Sequence, residues 1–453
     1  MAAPLYTVKP LELTRQHFIN SYPPFNVSKH AGEDCLTRRE DLSLYVHIPF
    51  CPTICTYCFY KKFGNPSVSV VEEYLDYLSR EILIFSRRPD AIRKRVKTLY
   101  LGGGTPTVLT IEQLRALVGL LRSHLDLGSL EEFCCEIMPH APTATAEKLA
   151  ALKELGVTRL SFGVETFDEE LLRRHNRPCT KELYEWTYAT ARDLAFDKIN
   201  VDVMSGLSGA TWQTWRSDVD TLLDWSPPSI SIYKTEVFYN TLMFSRMRLG
   251  TSSPALLTDD EEISHIRYAH DALQQRGGYT VANCLHLVKR PEHDDVHYRS
   301  IWEGVELKGL GLSAHSCYEG VLHQNASEMS DYYAAIDAGR LPIRRAHRLT
   351  MRDRISQAMV YGLKTLAVSR ARFAEQFGVD MLAVYGPVIA GLQDADVVTL
   401  DPLWLRITPA HYIFADDVCR QFFLPEYEHM MLAHVDRGGS TGVPAPLMTS
   451  TTA

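Results

Sequence analysis

Short apolar runs alternate with stretches of helical period through the first half of the chain. Leu42–Ile48, Thr98–Leu101, Phe133–Ile137, Arg159–Val164, Ile199–Met204 and Ser229–Tyr233 are apolar, β-branched or aromatic and are bounded by turn residues. Each predicts a strand. Between them, Val70–Phe85, Ile111–Leu125, Thr145–Leu155, Lys181–Leu194 and Thr211–Leu223 place apolar residues at helical spacing,. Strands separated by helices predict a parallel sheet, because parallel neighbours need a crossover. Six such units fall short of an eight-fold barrel. The expected fold is α/β, a partial (β/α)6 barrel.

The rhythm breaks near residue 250. Thr258–Arg276 has helical period, and Thr280–Val288 and Leu307–His315 look like further strands. From Ala346 onward the pattern is mostly helical, with short strand-like runs at Val397–Leu400 and Trp404–Ile407. The expected division is an N-terminal arm (1–40), the barrel (41–250), a barrel extension (251–340), a smaller, mostly helical accessory domain with a winged strand pair (341–436) and a disordered tail (437–453), the last rich in Gly, Ser, Thr and Pro,. A chain of 453 residues has room for two or three domains,.

Charge narrows the partners. A formal charge of −8 gives no global basic field for nucleic acid,. No run of about 18 apolar residues predicts a membrane span. The N-terminus has no basic region followed by an apolar core, so no signal peptide is expected. Ten cysteines without one point to a reducing cytoplasm, where thiols are free to bind metal,.

Cys51-Pro52-Thr53-Ile54-Cys55-Thr56-Tyr57-Cys58 follows directly on the first strand. Three thiolates on one loop can hold three irons of a [4Fe–4S] cube and leave the fourth open to a chelating molecule. A zinc site would need a second pair of ligands, and none is evident. Gly102-Gly103-Gly104-Thr105 ends the second strand, where glycines let a ligand approach the backbone,. Acids recur at later strand ends, at Glu136, Glu165 and Asp202, where barrel enzymes place their chemistry,.

The CX3CX2C loop on the first strand resembles the signature of the radical S-adenosylmethionine superfamily. Leu44-Tyr45-Val46-His47-Ile48-Pro49-Phe50-Cys51 and Ser21-Tyr22-Pro23 resemble the branch of oxygen-independent coproporphyrinogen III oxidase. The resemblance runs from about residue 20 to 430. It implies a [4Fe–4S] cluster on Cys51, Cys55 and Cys58, two S-adenosylmethionine molecules side by side, and an electron donor such as a flavodoxin or ferredoxin. Tyr45, Gly103, Glu136 and His315 match positions around the cluster-bound molecule. Tyr57, Gly104, Thr105, Glu165, Arg177, Asp202 and Glu236 match positions around the second. Three depart from the branch: Glu165 replaces Gln, Glu236 a small residue and His315 an aliphatic one. Those three are the expected catalytic residues.

Three reactions fit the resemblance. The porphyrinogen oxidase loop usually carries a further cysteine two residues past the third ligand, where this chain has Tyr60. The heme carrier of the same branch has His-Asn, two residues, then Tyr-Trp; here His297 and Trp302 remain but Asn and Tyr are lost. The expected activity is therefore that of class C radical methyltransferases or cyclopropanases, which resemble the oxidase and use both molecules. They transfer a methyl-derived carbon to an sp² carbon of a small aromatic natural-product intermediate. Tyr22, Phe25, Tyr298 and Trp302 are candidates for an apolar roof over such a substrate.

Overall fold

The computed structural model describes residues 9–15, 18–24, 27, 40–249 and 256–430. Phe25, the 437–453 tail and much of the N-terminal arm lie outside these residues. All six expected strands form: β1 (Asp41–Ile48), β2 (Arg95–Gly103), β3 (Glu132–Ile137), β4 (Arg159–Glu165), β5 (Lys198–Ser205) and β6 (Ser229–Lys234). They continue into β7 (Thr280–Val281), β8 (His286–Val288), β9 (Glu306–Leu310), β10 (His315–Tyr318), β11 (Val321–Asn325) and β12 (Ile343–Arg348). One twelve-stranded sheet results, in the order β12–β11–β10–β9–β1–β2–β3–β4–β5–β6–β8–β7. From β9 to β6 its strands run parallel. Both flanks are antiparallel.

Two expected strands divide, each for a local reason. Thr280–Val288 becomes the β7–β8 hairpin because the Asn283 side-chain oxygen accepts from the amides of Leu285 and His286, each at 3.0 Å, and so turns the chain,. Leu307–His315 becomes β9 and β10 because Gly311 (φ +99°) and Ser313 (φ +60°) adopt left-handed backbone and reverse the chain,.

The crossover helices are α1 (Val68–Ser86), α2 (Ile111–His124), α3 (Ala146–Glu154), α4 (Glu169–Arg174), α5 (Lys181–Asp193) and α6 (Trp212–Trp225), followed by α7 (Leu242–Arg248), α8 (Asp259–Gln275), α9 (Val296–Trp302) and α10 (Met329–Asp337). In α1 the Ser67 hydroxyl caps the Val70 amide, and Val71, Tyr74, Leu78, Ile82 and Phe85 form its buried stripe,. Thr110 and Gln113 make a capping box for α2,. Helices α4, α7 and α9 have six or seven residues, too few for a periodic signal.

A second core forms from α11 (Met351–Lys364), α12 (Arg370–Phe377), α13 (Met381–Asp394), α14 (Ala415–Arg420) and a small sheet of β13 (Ala367–Ser369), β14 (Val398–Leu400) and β15 (Trp404–Ile407). Tyr22 belongs to this core and not to a substrate roof. It is fully buried against Phe423 and Tyr427, and its hydroxyl pairs with Ser356 at 2.6 Å and with the Leu424 amide at 2.8 Å. Among the described residues, no helix is long and apolar enough to cross a membrane.

Candidate active site

The parallel strands present their C-terminal ends to one cavity of about 1960 Å³, including its open mouth. All the sequence-derived site residues line it except Tyr45 and His315.

The cysteine loop is held on both flanks. The Phe63 amide donates to the Pro49 carbonyl at 2.7 Å and the Asn65 amide to the Cys51 carbonyl at 2.8 Å. On the other flank, Thr56 meets His175 twice, through its amide on the His175 carbonyl (3.2 Å) and through its hydroxyl on Nδ1 (2.6 Å). Cys51, Cys55 and Cys58 are free thiols facing the cavity. The Thr105 hydroxyl lies 3.8 Å from the Cys51 sulfur and Arg177 Nη1 3.5 Å from that of Cys55. Donors aimed at sulfur suit thiolates that ligate iron. Burial pushes the Cys51 thiol up to about 12 and raises Cys58, so iron would have to replace their protons,. Among the described residues, no three His, Cys, Asp or Glu side chains converge as ligands of a single ion. A cube makes no such demand, since each thiolate takes a different iron. The donor set therefore fits a [4Fe–4S] cluster.

The glycine run lies directly beside this loop. Gly103 has φ +109°, and a Cβ on Gly104 would fall against the Phe50 carbonyl. Larger residues there would push β2 away from the loop. The Gly103 amide and the Tyr100 hydroxyl donate to Glu136, at 2.9 and 3.0 Å. Burial pushes the Glu136 carboxyl up to about 7, opposed by those two hydrogen bonds,.

Glu165 closes β4 at a bulge and has left-handed backbone (φ +69°), a strained conformation for a glutamate,. Burial raises its carboxyl to about 7, with Arg177 opposing from 3.6 Å and Asp202 reinforcing. Arg177 also donates to the Gly163 carbonyl and, at 3.3 Å, to the Tyr184 hydroxyl. Asp202 accepts from the Ser161 hydroxyl (2.9 Å) and the Asn200 amide (2.8 Å), and burial raises it too. Glu236 is paired with Lys234 at 2.5 Å.

His315 stands apart from this group. The reversal at Gly311 sets it at the start of β10, beside His47 and Gln324 rather than in the cavity lining. Tyr45 is also outside the lining and supports the site from behind. His47 Nε2 meets the Lys61 carbonyl at 3.1 Å and must carry the proton there,. Its Nδ1 therefore accepts from the Tyr45 hydroxyl, at 2.9 Å. This pair braces the backbone under Gly103.

Sequence reasoning missed the wall contributed from outside the barrel. Arg15, Cys284, Lys364 and Asp416 line the cavity, with Lys364 paired to Asp416 at 2.6 Å and 3.7 Å from the Cys284 sulfur. Tyr298 and Trp302 line it as expected, beside Tyr100 and Tyr233. Only tertiary packing brings the arm and second core here, so no local pattern announces them.

Residues 45–222 match the Radical SAM superfamily. The heme chaperone HemW of Bacillus subtilis is 31% identical over 363 residues, covering 79% of this chain and 92% of that protein. Oxygen-independent coproporphyrinogen III oxidase of Pseudomonas aeruginosa is 29% identical over 454 residues, covering 96% of each. The solved coproporphyrinogen III oxidase of Escherichia coli, a radical SAM enzyme, superposes with a TM-score of 0.78 over 89% of this chain and 96% of that one, at 25% identity. The chain belongs to the radical S-adenosylmethionine superfamily, which uses a [4Fe–4S] cluster and S-adenosylmethionine, in the branch of the coproporphyrinogen III oxidases and heme chaperones.

Proposed function

We propose that the chain is an enzyme of the coproporphyrinogen oxidase type, taking hydrogen from a side-chain carbon of a pyrrole-bearing substrate, with two S-adenosylmethionine molecules in one cavity. The observation that carries this reading is the convergence of Glu136, Glu165, Asp202 and Glu236 with the three cysteines around a single large cavity. Similarity to the oxidase over nearly the whole of both chains supports it. When bound, the cluster and S-adenosylmethionine supply the one-electron chemistry that ends in hydrogen abstraction. The chain supplies the rest. Glu136 and the Gly103 backbone receive the amino acid end of one molecule. Glu165, Arg177 and Asp202 receive the polar end of the other. Tyr298 and Trp302 offer rings for the substrate to stack on.

The heme chaperone reading is weaker at the residue level. His297 is buried, pushed down to about 4 by that burial, and 2.8 Å from the Thr98 hydroxyl beneath the Tyr100 ring. It does not line the cavity, so heme could reach it only after α9 moved.

Methyl transfer is a second reading, and one observation favours it. Apart from Lys62, which donates to the Cys58 and Tyr60 carbonyls, every lysine or arginine lining the cavity has a carboxylate partner. Arg15 pairs with Glu262, Arg177 with Glu165, Lys234 with Glu236 and Lys364 with Asp416. A substrate bearing several carboxylates would find little uncompensated charge. Tyr60, in place of the oxidase loop's further cysteine, agrees with this. Anaerobic turnover separates the two readings. The oxidase gives carbon dioxide with coproporphyrinogen III and no S-adenosylhomocysteine. Methyl transfer gives S-adenosylhomocysteine and 5′-deoxyadenosine in near-equal amounts and leaves coproporphyrinogen III unchanged.

A further inference from the structure

The chain just past the third cysteine is pinned at two points. His47 Nε2 donates to the Lys61 carbonyl at 3.1 Å, and the Phe63 amide donates to the Pro49 carbonyl at 2.7 Å. Phe63 then pairs with Phe50, the residue before Cys51. Between these pins two consecutive lysines turn opposite ways. Lys61 reaches outward to Glu328, at 2.9 Å. Lys62 folds back over its own loop, where its ammonium donates to the Cys58 carbonyl and, at 3.0 Å, to the Tyr60 carbonyl. It is half-buried and lines the same cavity as Cys51 and Cys58.

Carbonyls hold this ammonium without cancelling its charge, and among the described residues no carboxylate pairs with it. The other cation beside the loop is different. Arg177 lies 3.5 Å from the Cys55 sulfur, but Glu165 stands 3.6 Å from the same guanidinium and offsets it. Lys62 is thus the uncompensated positive charge at the loop. Its field reaches two of the three sulfurs: burial raises the Cys58 and Cys51 thiols, and at both the Lys62 charge acts against that rise. The potential of an iron–sulfur cluster follows the net charge around it. An added electron makes the cluster more negative, so a fixed cation stabilises the reduced form more than the oxidised one.

We propose that Lys62, held over the cysteine loop by the Cys58 and Tyr60 carbonyls, is a positioning residue whose uncompensated charge raises the reduction potential of the cluster. One electron enters the cluster, and no bond to Lys62 forms or breaks. This role rests on the cluster assignment and on neither reading of the reaction. An opposite charge at close range shifts a proton equilibrium by about one to three powers of ten. Lys62 is only half-buried, so solvent screening favours the lower end,. The expected effect is about tenfold in the reduction equilibrium, or about 59 mV for one electron.

The test is a redox titration of anaerobically reconstituted protein, without S-adenosylmethionine or substrate, with the reduced cluster followed by electron paramagnetic resonance. Lys62→Gln keeps a donor for the carbonyls and loses the charge, so its midpoint should fall by about 59 mV, a tenfold shift. Lys62→Arg keeps the charge and should stay within threefold of the parent. Lys61→Gln makes the same change of net charge one residue away, on a side chain that faces outward, and should also stay within threefold. Should Lys62→Gln fail to hold about four irons, Lys62→His takes its place. Its midpoint should lie near that of the parent at pH 5.5, where the imidazole is charged, and below it at pH 8, where it is neutral. Four results would overturn the proposal: a midpoint within threefold of the parent in iron-replete Lys62→Gln, an equal fall in Lys62→Arg or Lys61→Gln, an offset in Lys62→His that ignores pH, or loss of iron from every Lys62 variant, Lys62→Arg included.

Discussion

Replacing Glu136 by Gln probes the carboxyl proposed to receive the ammonium of one S-adenosylmethionine. Glu136 is held by the Gly103 amide and the Tyr100 hydroxyl, and burial keeps its proton on up to about pH 7. The ammonium of S-adenosylmethionine needs the ionised form. Gln keeps the shape and can still accept from one of these donors, so the loss is the charge. A hydrogen bond to a charged group contributes about 1.5–3 kcal/mol. Because Glu136 faces an open cavity, solvent screens longer-range terms, and only this contact is counted. The expected weakening is therefore about 10- to 150-fold. In the parent protein, affinity should also rise with pH, by up to about tenfold per unit below pH 7, and level off above it. The variant should bind weakly with little pH dependence. Calorimetry on reconstituted protein from pH 5.5 to 8.5 measures both. An affinity within twofold of the parent, or the same pH dependence in the variant, would refute the assignment.

Three further outcomes follow. Arg177→Met should cost about 3–5 kcal/mol in denaturant unfolding at pH 8, because it strands the buried Glu165 carboxylate, and less at pH 6, where Glu165 takes a proton,. In the unfolded chain carboxylic acids ionise near 4, whereas Glu136, Glu165 and Asp218 hold their protons to about 7 when folded, so the stability they contribute is present below about pH 4 and lost toward 7, against the opposite trend of His47, His270, His286 and His297, which burial holds neutral down to about pH 4,; relative to the parent, Glu136→Gln and Glu165→Gln in the iron-free protein should each gain stability as pH rises from about 4 to 7, as read by the difference in urea midpoints. Heme mixed with the protein should give no tight stoichiometric complex, and a stable Soret shift abolished by His297→Ala would instead support the chaperone reading.

The barrel was legible because its signals are local and periodic. Each of β1 to β6 is an apolar run ending in a turn, and the helices between them carry buried stripes such as Val71, Tyr74, Leu78 and Ile82. The cysteine loop and the acids were legible because chemistry at barrel strand ends sits at predictable places in the sequence. His315 lies outside the cavity lining because two left-handed residues, Gly311 and Ser313, reverse a strand that reads as continuous. Tyr22 fills the second core, the commoner of the two places the sequence leaves open, because an aromatic residue in an arm looks alike whether it roofs a cavity or fills a core. Arg15, Lys364 and Asp416 were invisible for a different reason. Their place beside the cavity depends on how the arm and second core pack against the barrel, which no window of sequence encodes.

The central claim is that Cys51, Cys55 and Cys58 hold the cluster that initiates radical chemistry in this cavity. Its most direct test is anaerobic reconstitution followed by iron analysis and by incubation with S-adenosylmethionine and a strong reductant. The parent protein should bind about four irons per chain and release 5′-deoxyadenosine. Joint replacement of Cys51, Cys55 and Cys58 by Ala should abolish both, while replacing the buried Cys134 or Cys135 should abolish neither. Iron retained and 5′-deoxyadenosine still formed by the triple variant would contradict the account.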